Sequence, residues 1–137
     1  MVPNINTFDA GASTTSPSVE TVAPVVVKAP KTVEEMVKEY FKDSPIMSKV
    51  AWCESRNRQF EKDGITPFTG RVNPSDIGVM QINRYYHEAT ATKMGIDLST
   101  LEGNLTYGKY LYDKEGTRPW NSSSPCWSSQ EQLVAMN

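Results

Sequence analysis

The sequence predicts a small, mainly α-helical fold of the α+β kind, with a loop or short β-hairpin region flanking a cleft. Apolar residues recur at helical spacing before and after the middle of the chain. Between them, the segment from Asn57 to Asn83 is interrupted by glycines and prolines too often for a helix. With 137 residues, the chain has room for one folded domain.

The two ends of the chain are predicted to lie outside that domain. Residues 1–31 hold prolines at positions 3, 17, 24 and 30, few charges and little apolar periodicity. Such a composition is typical of a disordered tail or linker. We therefore expect a folded domain over residues 32–128 and a short C-terminal tail over residues 129–137.

Two helices are predicted in the first half of the domain. Thr32 and Glu35 form the pattern of a capping box ahead of apolar residues at helical spacing, so the first helix should begin there. For the second helix we expect Ser44 as the N-cap and Pro45 at the first helical position. This helix should end near Glu54.

Two further helices are predicted in the second half. Residues 84–94 should be helical, and apolar residues recur at helical spacing over 98–112 until Gly116, which should end the last helix. Gly108 lies inside that helix, where a glycine costs about 1 kcal/mol of helix propensity. We expect Gly108 to allow the close approach of another helix. An irregular closing segment should follow Gly116.

Composition and charge argue against several classes of protein. The net charge of −2 and the pI near 5.4 do not suit a protein that binds the nucleic-acid backbone. No apolar run approaches the roughly 18 residues needed to cross a bilayer. The first 30 residues lack the charged start and apolar stretch of a secretory signal, so we hypothesise that Met1 replaces a removed leader. His87 is the only histidine and has no cysteine or carboxylate cluster beside it in sequence, so we expect no metal site.

Cys53 and Cys126 are the only cysteines, which allows a single disulfide in an oxidising compartment or two buried free thiols, and we expect the disulfide. A disulfide would close a loop of about 70 residues and stabilise the fold by about 4 kcal/mol through the entropy of the unfolded chain. It would also tie the C-terminal segment to the residue next to Glu54.

Glu54 is the strongest candidate for chemistry. It follows an apolar segment that includes Val50 and Trp52. Burial against apolar surface raises the pKa of a carboxyl group, because it disfavours the charged form. A carboxylic acid that is still protonated near neutral pH can act as the general acid in cleavage of a glycosidic bond.

Two motifs surround this acid. The tripeptide Cys-Glu-Ser at 53–55 and the octapeptide Asp-Ile-Gly-Val-Met-Gln-Ile-Asn at 76–83 resemble motifs of the lysozyme-like superfamily. The resemblance is closest to the small specialised lytic transglycosylases that accompany secretion and conjugation machines, with c-type lysozymes second. It covers residues 44–127 and implies a lysozyme-like fold in which Glu54 ends a core helix at the floor of a sugar-binding cleft.

The resemblance also implies a biological setting. Enzymes of this kind act outside the cytoplasm, in the periplasm or after secretion, on peptidoglycan glycan strands and without a cofactor. We expect the protein to be a monomer. One hypothesis is that it serves a secretion, conjugation or pilus assembly.

Asp76 has two interpretations. In c-type lysozymes an aspartate two positions before the corresponding glycine stabilises or attacks the sugar cation. Specialised lytic transglycosylases often carry Asp-Ile-Gly at this place without needing a second carboxylate. Asp76 is therefore either a second catalytic carboxylate or a turn-forming residue that bonds nearby amides.

The resemblance assigns other residues to the substrate or to support of the site. Gln81 is implied to contact the sugar, and Met80 either packs beside the acid or simply fills the core. Trp120 stands where larger families have a tyrosine, and its ring could stack on a sugar. Ser75 is not at the offset expected for a serine partner of the acid. The expected substrate-binding residues are Ser55, Met80, Gln81, Asn83, Tyr107 and Trp120, and the expected supporting residues are Gly78, Asn104 and Gly108.

Three functions remain open from the sequence. The first is a peptidoglycan-cleaving enzyme, either a lytic transglycosylase that uses Glu54 alone or a hydrolytic muramidase that also uses Asp76. The second is a non-catalytic cell-wall-binding module, whose expected sign, a substituted glutamate, is absent. The third is an assembly component that docks through the N-terminal tail.

Overall fold

The structure is a computed structural model that describes residues 24–25 and 29–129. The chain divides into two units, Met1–Pro30 and Lys31–Asn137, and every helix and strand described below belongs to the second. The predicted tails fall mainly on residues 1–23, 26–28 and 130–137, which lie outside the described residues.

The predicted mainly helical α+β fold is confirmed. Four helices and one small antiparallel sheet are followed by a 3₁₀ helix and a last short helix in the described part of the chain. In chain order the elements are α1 Val33–Tyr40, α2 Ile46–Ser55, β1 Asp76–Ile77, β2 Ile82–Asn83, α3 Arg84–Lys93, α4 Leu101–Glu115, the 3₁₀ helix Arg118–Ser123 and α5 Ser124–Trp127. No helix among the described residues has both the length and the apolar character needed to cross a membrane.

Helix α1 begins at the predicted capping box. The Thr32 hydroxyl accepts a hydrogen bond from the backbone N–H of Glu35 at 3.1 Å, and the Glu35 carboxylate accepts one from the N–H of Thr32 at 2.8 Å. Two N–H groups that the helix cannot bond internally are thereby satisfied. The helix buries Val37 in the core.

Helix α2 differs from the prediction at its start and agrees at its end. Pro45, with φ −60° and ψ −21°, occupies the N-cap, and no side chain caps the helix, so the expectation of Ser44 as N-cap is wrong by one residue. Pro45 already has helical torsion angles and offers no side-chain acceptor. The helix ends at Ser55, after which Arg56 takes a left-handed conformation with φ 56°.

The region between α2 and α3 contains the short hairpin expected there. Strands β1 and β2 pair antiparallel, with Asp76 opposite Asn83 and Ile77 opposite Ile82. Gly78 opens the connecting turn with φ +77°, and a Cβ atom on it would lie 2.3 Å from the Asn104 amide nitrogen. This position therefore requires glycine both for its torsion angle and for the space.

The hairpin packs into a core formed by all the longer helices. Met80 lies against α4, where a Cβ atom on Gly108 would be 2.9 Å from Met80 Cγ, so the close approach at Gly108 is that of the hairpin turn and not of another helix. The buried apolar residues are Val37, Phe41, Met47, Val50, Ala51, Ile77, Val79, Met80, Ile82, Ala91, Leu98, Leu105, Tyr107, Leu111 and Trp120.

Asn104 of α4 holds the turn at residues 77–80, which is buried together with it. Its Oδ1 atom accepts a hydrogen bond from the N–H of Met80 at 2.8 Å. Its Nδ2 atom donates to the carbonyl oxygens of Ile77 and Leu98, both at 3.0 Å. One buried amide thus bonds both ends of the turn.

Three other buried side chains complete the bonding of this turn. Gln59 accepts from the N–H of Val79 at 2.9 Å, and the Ser55 hydroxyl donates to the Val79 carbonyl at 2.8 Å. The indole N–H of Trp120 donates to the Met80 carbonyl at 2.8 Å. Buried backbone groups that would otherwise lack partners are therefore satisfied by α2, by the loop after it and by the 3₁₀ helix.

We predict that Asn104→Ala lowers the free energy of unfolding by about 2–3 kcal/mol, because it leaves the buried Met80 N–H without an acceptor. Urea unfolding followed by circular dichroism measures this change. The matched control is Asn121→Ala, since Asn121 is exposed and its replacement should stay within about 0.5 kcal/mol. Equal effects of the two substitutions would contradict the role given to Asn104.

Candidate active site

Glu54 lies in the last turn of α2, half-buried, at the wall of a cavity of about 370 Å³. The same turn buries Ser55 in the core, which leaves Glu54 on the cavity side of the helix. The residues that line the cavity are Cys53, Glu54, Arg56, Arg58, Phe68, Gly70, Arg71, Val72, Asn73, Asp76, Gln81, Ser122 and Ser123.

Ser123 is the hydrogen-bond partner of this acid. Its Oγ atom lies 2.5 Å from Glu54 Oε2, 3.1 Å from the carbonyl oxygen of Trp120, and 3.1 Å from the indole nitrogen of Trp127, which donates to it. The single hydroxyl proton can point to the carboxylate when Glu54 is charged. When Glu54 is protonated, the hydroxyl can accept from it and donate to the Trp120 carbonyl instead. Ser123 can therefore bond Glu54 in either protonation state.

The pKa of Glu54 is raised above its ordinary value. Burial is the main cause, because it disfavours the carboxylate, and the negative charge of Asp76 acts in the same direction. The hydrogen bond from Ser123 opposes both by favouring the charged form. Glu54 is thus an acid that keeps its proton to a higher pH than an exposed glutamate, as its place after an apolar segment predicted.

The predicted disulfide between Cys53 and Cys126 is present, with Cα atoms 6.0 Å apart, inside the usual range. It joins the residue before Glu54 to a residue three positions after Ser123. The cross-link therefore holds the segment that carries the hydroxyl against the helix that carries the acid.

Asp76 lies at the start of β1 and lines the cavity together with Glu54. Its Oδ1 atom accepts a hydrogen bond from the Asn83 amide at 2.9 Å. Burial raises the pKa of Asp76, while that hydrogen bond lowers it. Asn83 also caps α3, since its Oδ1 atom accepts from the N–H of Tyr86 at 3.1 Å. Asn83 therefore contributes to the site by orienting Asp76.

Gln81 reaches the cavity from the hairpin turn. It has φ 51°, a left-handed conformation that is uncommon for a residue with a side chain. Its Nε2 atom donates to the Gly78 carbonyl at 2.9 Å, and its side chain lines the cavity. Of the residues expected to contact substrate, Gln81 has the clearest access to the cavity.

Four residues expected to bind substrate are instead buried. Met80, Ser55 and Tyr107 are at most 1% exposed, and Trp120 is 3% exposed. None of them offers an open face to a sugar, which corrects the expectation that Trp120 stacks on the substrate. Trp120 instead supports the hairpin through Met80, and Tyr107 pairs with His87 at 3.0 Å.

A second cavity, of about 640 Å³, continues from the first, because Asn73 and Asp76 line both. Its other lining residues are Asn83, Tyr86, His87, Glu115, Arg118 and Pro119. Tyr86 is 73% exposed and is therefore an aromatic side chain open to the cleft. Asp76 thus lies where the two cavities of the cleft meet, and the two cavities have different lining residues.

Sequence reasoning missed Ser123 and the three arginines that line the first cavity, Arg56, Arg58 and Arg71. A signal for Ser123 was present, since a disulfide between Cys53 and Cys126 brings the residues near Cys126 close to Glu54. The arginines carried no such signal, because their common location depends on the course of the loop after α2.

We predict that Ser123→Ala raises the pKa of Glu54 further, since the lost hydrogen bond favours the charged form. Titration of ¹³C-labelled glutamate side chains by NMR measures the shift. The matched control is Ser122→Ala, which removes a hydroxyl from the same cavity wall without removing the bond to Glu54. An unchanged or lowered pKa in Ser123→Ala would contradict the assignment.

The site therefore combines a half-buried acid, a hydroxyl that can bond it in both protonation states, and a second carboxylate in one cleft. In the described part of the chain, no group of three or more histidine, cysteine or acidic side chains is arranged to hold a metal ion. Comparisons of the chain with protein-family models, curated proteins and solved structures found no match.

Proposed function

We propose that the protein is a lytic transglycosylase that cleaves the β-1,4 bond between N-acetylmuramic acid and N-acetylglucosamine in peptidoglycan. The observation that carries the proposal is Glu54, an acid with a raised pKa, bonded to Ser123 at the wall of a cleft. The motifs at 53–55 and 76–83, which resemble those of specialised lytic transglycosylases, supply the substrate class.

In the proposed mechanism Glu54 acts first as an acid. Its proton passes to the glycosidic oxygen as the bond from that oxygen to C1 of the muramic sugar breaks, and positive charge develops at C1. The resulting Glu54 carboxylate then accepts the proton of the C6 hydroxyl of the same sugar while the C6 oxygen bonds to C1. The products are a 1,6-anhydro end and a free hydroxyl on the leaving sugar.

Ser123 suits this exchange of roles. While Glu54 is protonated, the serine can accept a hydrogen bond from it and donate its own hydrogen bond to the Trp120 carbonyl. Once Glu54 is charged, the serine can donate to it. Between the two steps the Ser123 hydroxyl can therefore rotate, so that the Glu54 side chain does not need to move.

A hydrolytic muramidase is the second candidate. Asp76 favours it, because this carboxyl lies in the same cavity and its charge acts on the pKa of Glu54. Water attack benefits from a second carboxylate about 5 Å from the acid in retaining enzymes. The transglycosylase is preferred because its internal nucleophile needs only Glu54, and because Asp76 is engaged by Asn83.

The setting is part of the proposal. The Cys53–Cys126 disulfide fits an oxidising compartment, so we propose that the protein acts in the periplasm or after secretion. A partner in a secretion, conjugation or pilus assembly agrees with the resemblance and remains a hypothesis. The competing cell-wall-binding function is distinguished from catalysis by the next experiment.

We predict that Glu54→Gln lowers the rate of cell-wall lysis by about a hundredfold or more, because the amide keeps the size of the side chain but cannot donate the acid proton. Turbidity of purified cell walls measures the rate. Glu102→Gln, the same change at an exposed position of α4, should leave lysis unchanged. Near-normal clearing by Glu54→Gln would refute the role of Glu54 as the acid, whereas wild-type protein that binds cell walls without clearing them would favour a binding module.

We also predict 1,6-anhydro-muropeptides among the products and substantial residual activity in Asp76→Asn. The substitution removes the second charge but keeps a side chain of similar size, and the transglycosylase route does not use that charge. Mass spectrometry of the soluble products identifies the ends. Reducing muramic acid ends alone, together with an Asp76→Asn variant as inactive as Glu54→Gln, would identify a muramidase.

A further inference from the structure

The first cavity has a positively charged wall in a chain of negative net charge. Arg56, Arg58 and Arg71 line it, although the chain as a whole has a net charge of −2. These three arginines lie on the wall of the cavity that Glu54 also lines, and we call this group the arginine limb.

Two of these arginines are held in place by stacking and by backbone bonds. The Arg58 guanidinium lies 4.0 Å from the centre of the Phe68 ring, and its Nε atom donates to the Ser55 carbonyl at 2.8 Å. The Arg56 guanidinium lies 3.9 Å from the Trp52 ring and donates to the Trp52 carbonyl at 3.0 Å. Side chains fixed in this way lose less freedom when they bind a ligand.

None of the three forms an ion pair with a carboxylate of the described residues. Other cations do form such pairs; Arg84, for example, pairs with Glu88 at 3.2 Å. Arg71 is exposed and bonds no other described residue, so its guanidinium is available to the cavity. The arginine limb thus has unpaired positive charge facing an open space.

We propose that the arginine limb binds the carboxylates of the stem peptide attached to the muramic sugar. This inference rests on the proposed function, and it names the part of the substrate that the cavity would recognise. N-acetylated sugars are uncharged, and the lactyl carboxylate of the muramic sugar is consumed in the bond to the peptide. The negative charge of such a strand therefore lies on the peptide, and guanidinium groups match carboxylates in charge and in planar geometry.

The test uses binding rather than turnover. Glu54→Gln protein is titrated with three fluorescent glycan strands: one with intact stem peptides, one with the peptide carboxylates converted to amides, and one stripped of peptides to expose the lactyl carboxylate. We expect intact strands to bind roughly two- to fivefold more tightly than amidated strands, the range of an exposed ion pair. The difference should shrink at high salt.

Substitutions then assign the difference to the arginine limb. Arg71→Gln in the same background should remove most of the preference for intact strands, and Arg71→Lys should restore part of it. Arg84→Gln changes the net charge by the same amount as Arg71→Gln, but at a residue outside the cavity. It should therefore keep the preference for intact strands. Circular dichroism verifies that each variant is folded.

Three outcomes would overturn the proposal: equal binding of intact and amidated strands, tighter binding of stripped strands, or equal effects of Arg71→Gln and Arg84→Gln. Absence of binding to every strand would overturn it as well. Failure of the proposed function gives a different result. Wild-type protein would then prefer intact strands but release no cleaved products, which means that it binds peptidoglycan without cleaving it.

Discussion

The bonding of the turn at residues 77–80 is the constraint on which the rest of the structure depends. This turn is buried, and its peptide groups cannot bond water, so each unpaired group would cost about 1–3 kcal/mol. Ser55, Gln59, Asn104 and Trp120 supply the missing partners. Because these side chains come from four separate parts of the chain, the turn fixes α2, α4 and the 3₁₀ helix around the hairpin.

The position of Glu54 follows from the same bonding. Ser55 must face inward to reach the Val79 carbonyl, so the preceding residue is held at the cavity wall. The 3₁₀ helix, which the turn fixes through Trp120, carries Ser123 to the other side of the acid. The disulfide adds a covalent connection between the same two segments. The burial that raises the pKa of Glu54 is therefore a property of the assembled fold.

The features that were predicted correctly are those determined by residues close together in the sequence. The capping box at Thr32, the hairpin with Gly78 and the helix end at Gly116 were predicted correctly, because each depends on residues a few positions apart. Trp120 was misassigned to the substrate, since its burial depends on a bond to a carbonyl in a distant segment. Ser123 was missed for the same reason: its partner Glu54 is far away in the chain and only the tertiary fold brings them together.

The chain reversal after α2 connects the acid to the arginine limb. Arg56 and Asn57 have φ angles of 56° and 60°, and such left-handed conformations of residues with side chains cost of order 1–3 kcal/mol each. The bonds of Arg56 to the Trp52 carbonyl offset part of this cost. Without the reversal, α2 would continue past Ser55, and Arg58 would be one helical turn beyond Glu54 instead of stacked on Phe68. The reversal therefore places Arg56 and Arg58 at the wall of the cavity that Glu54 also lines.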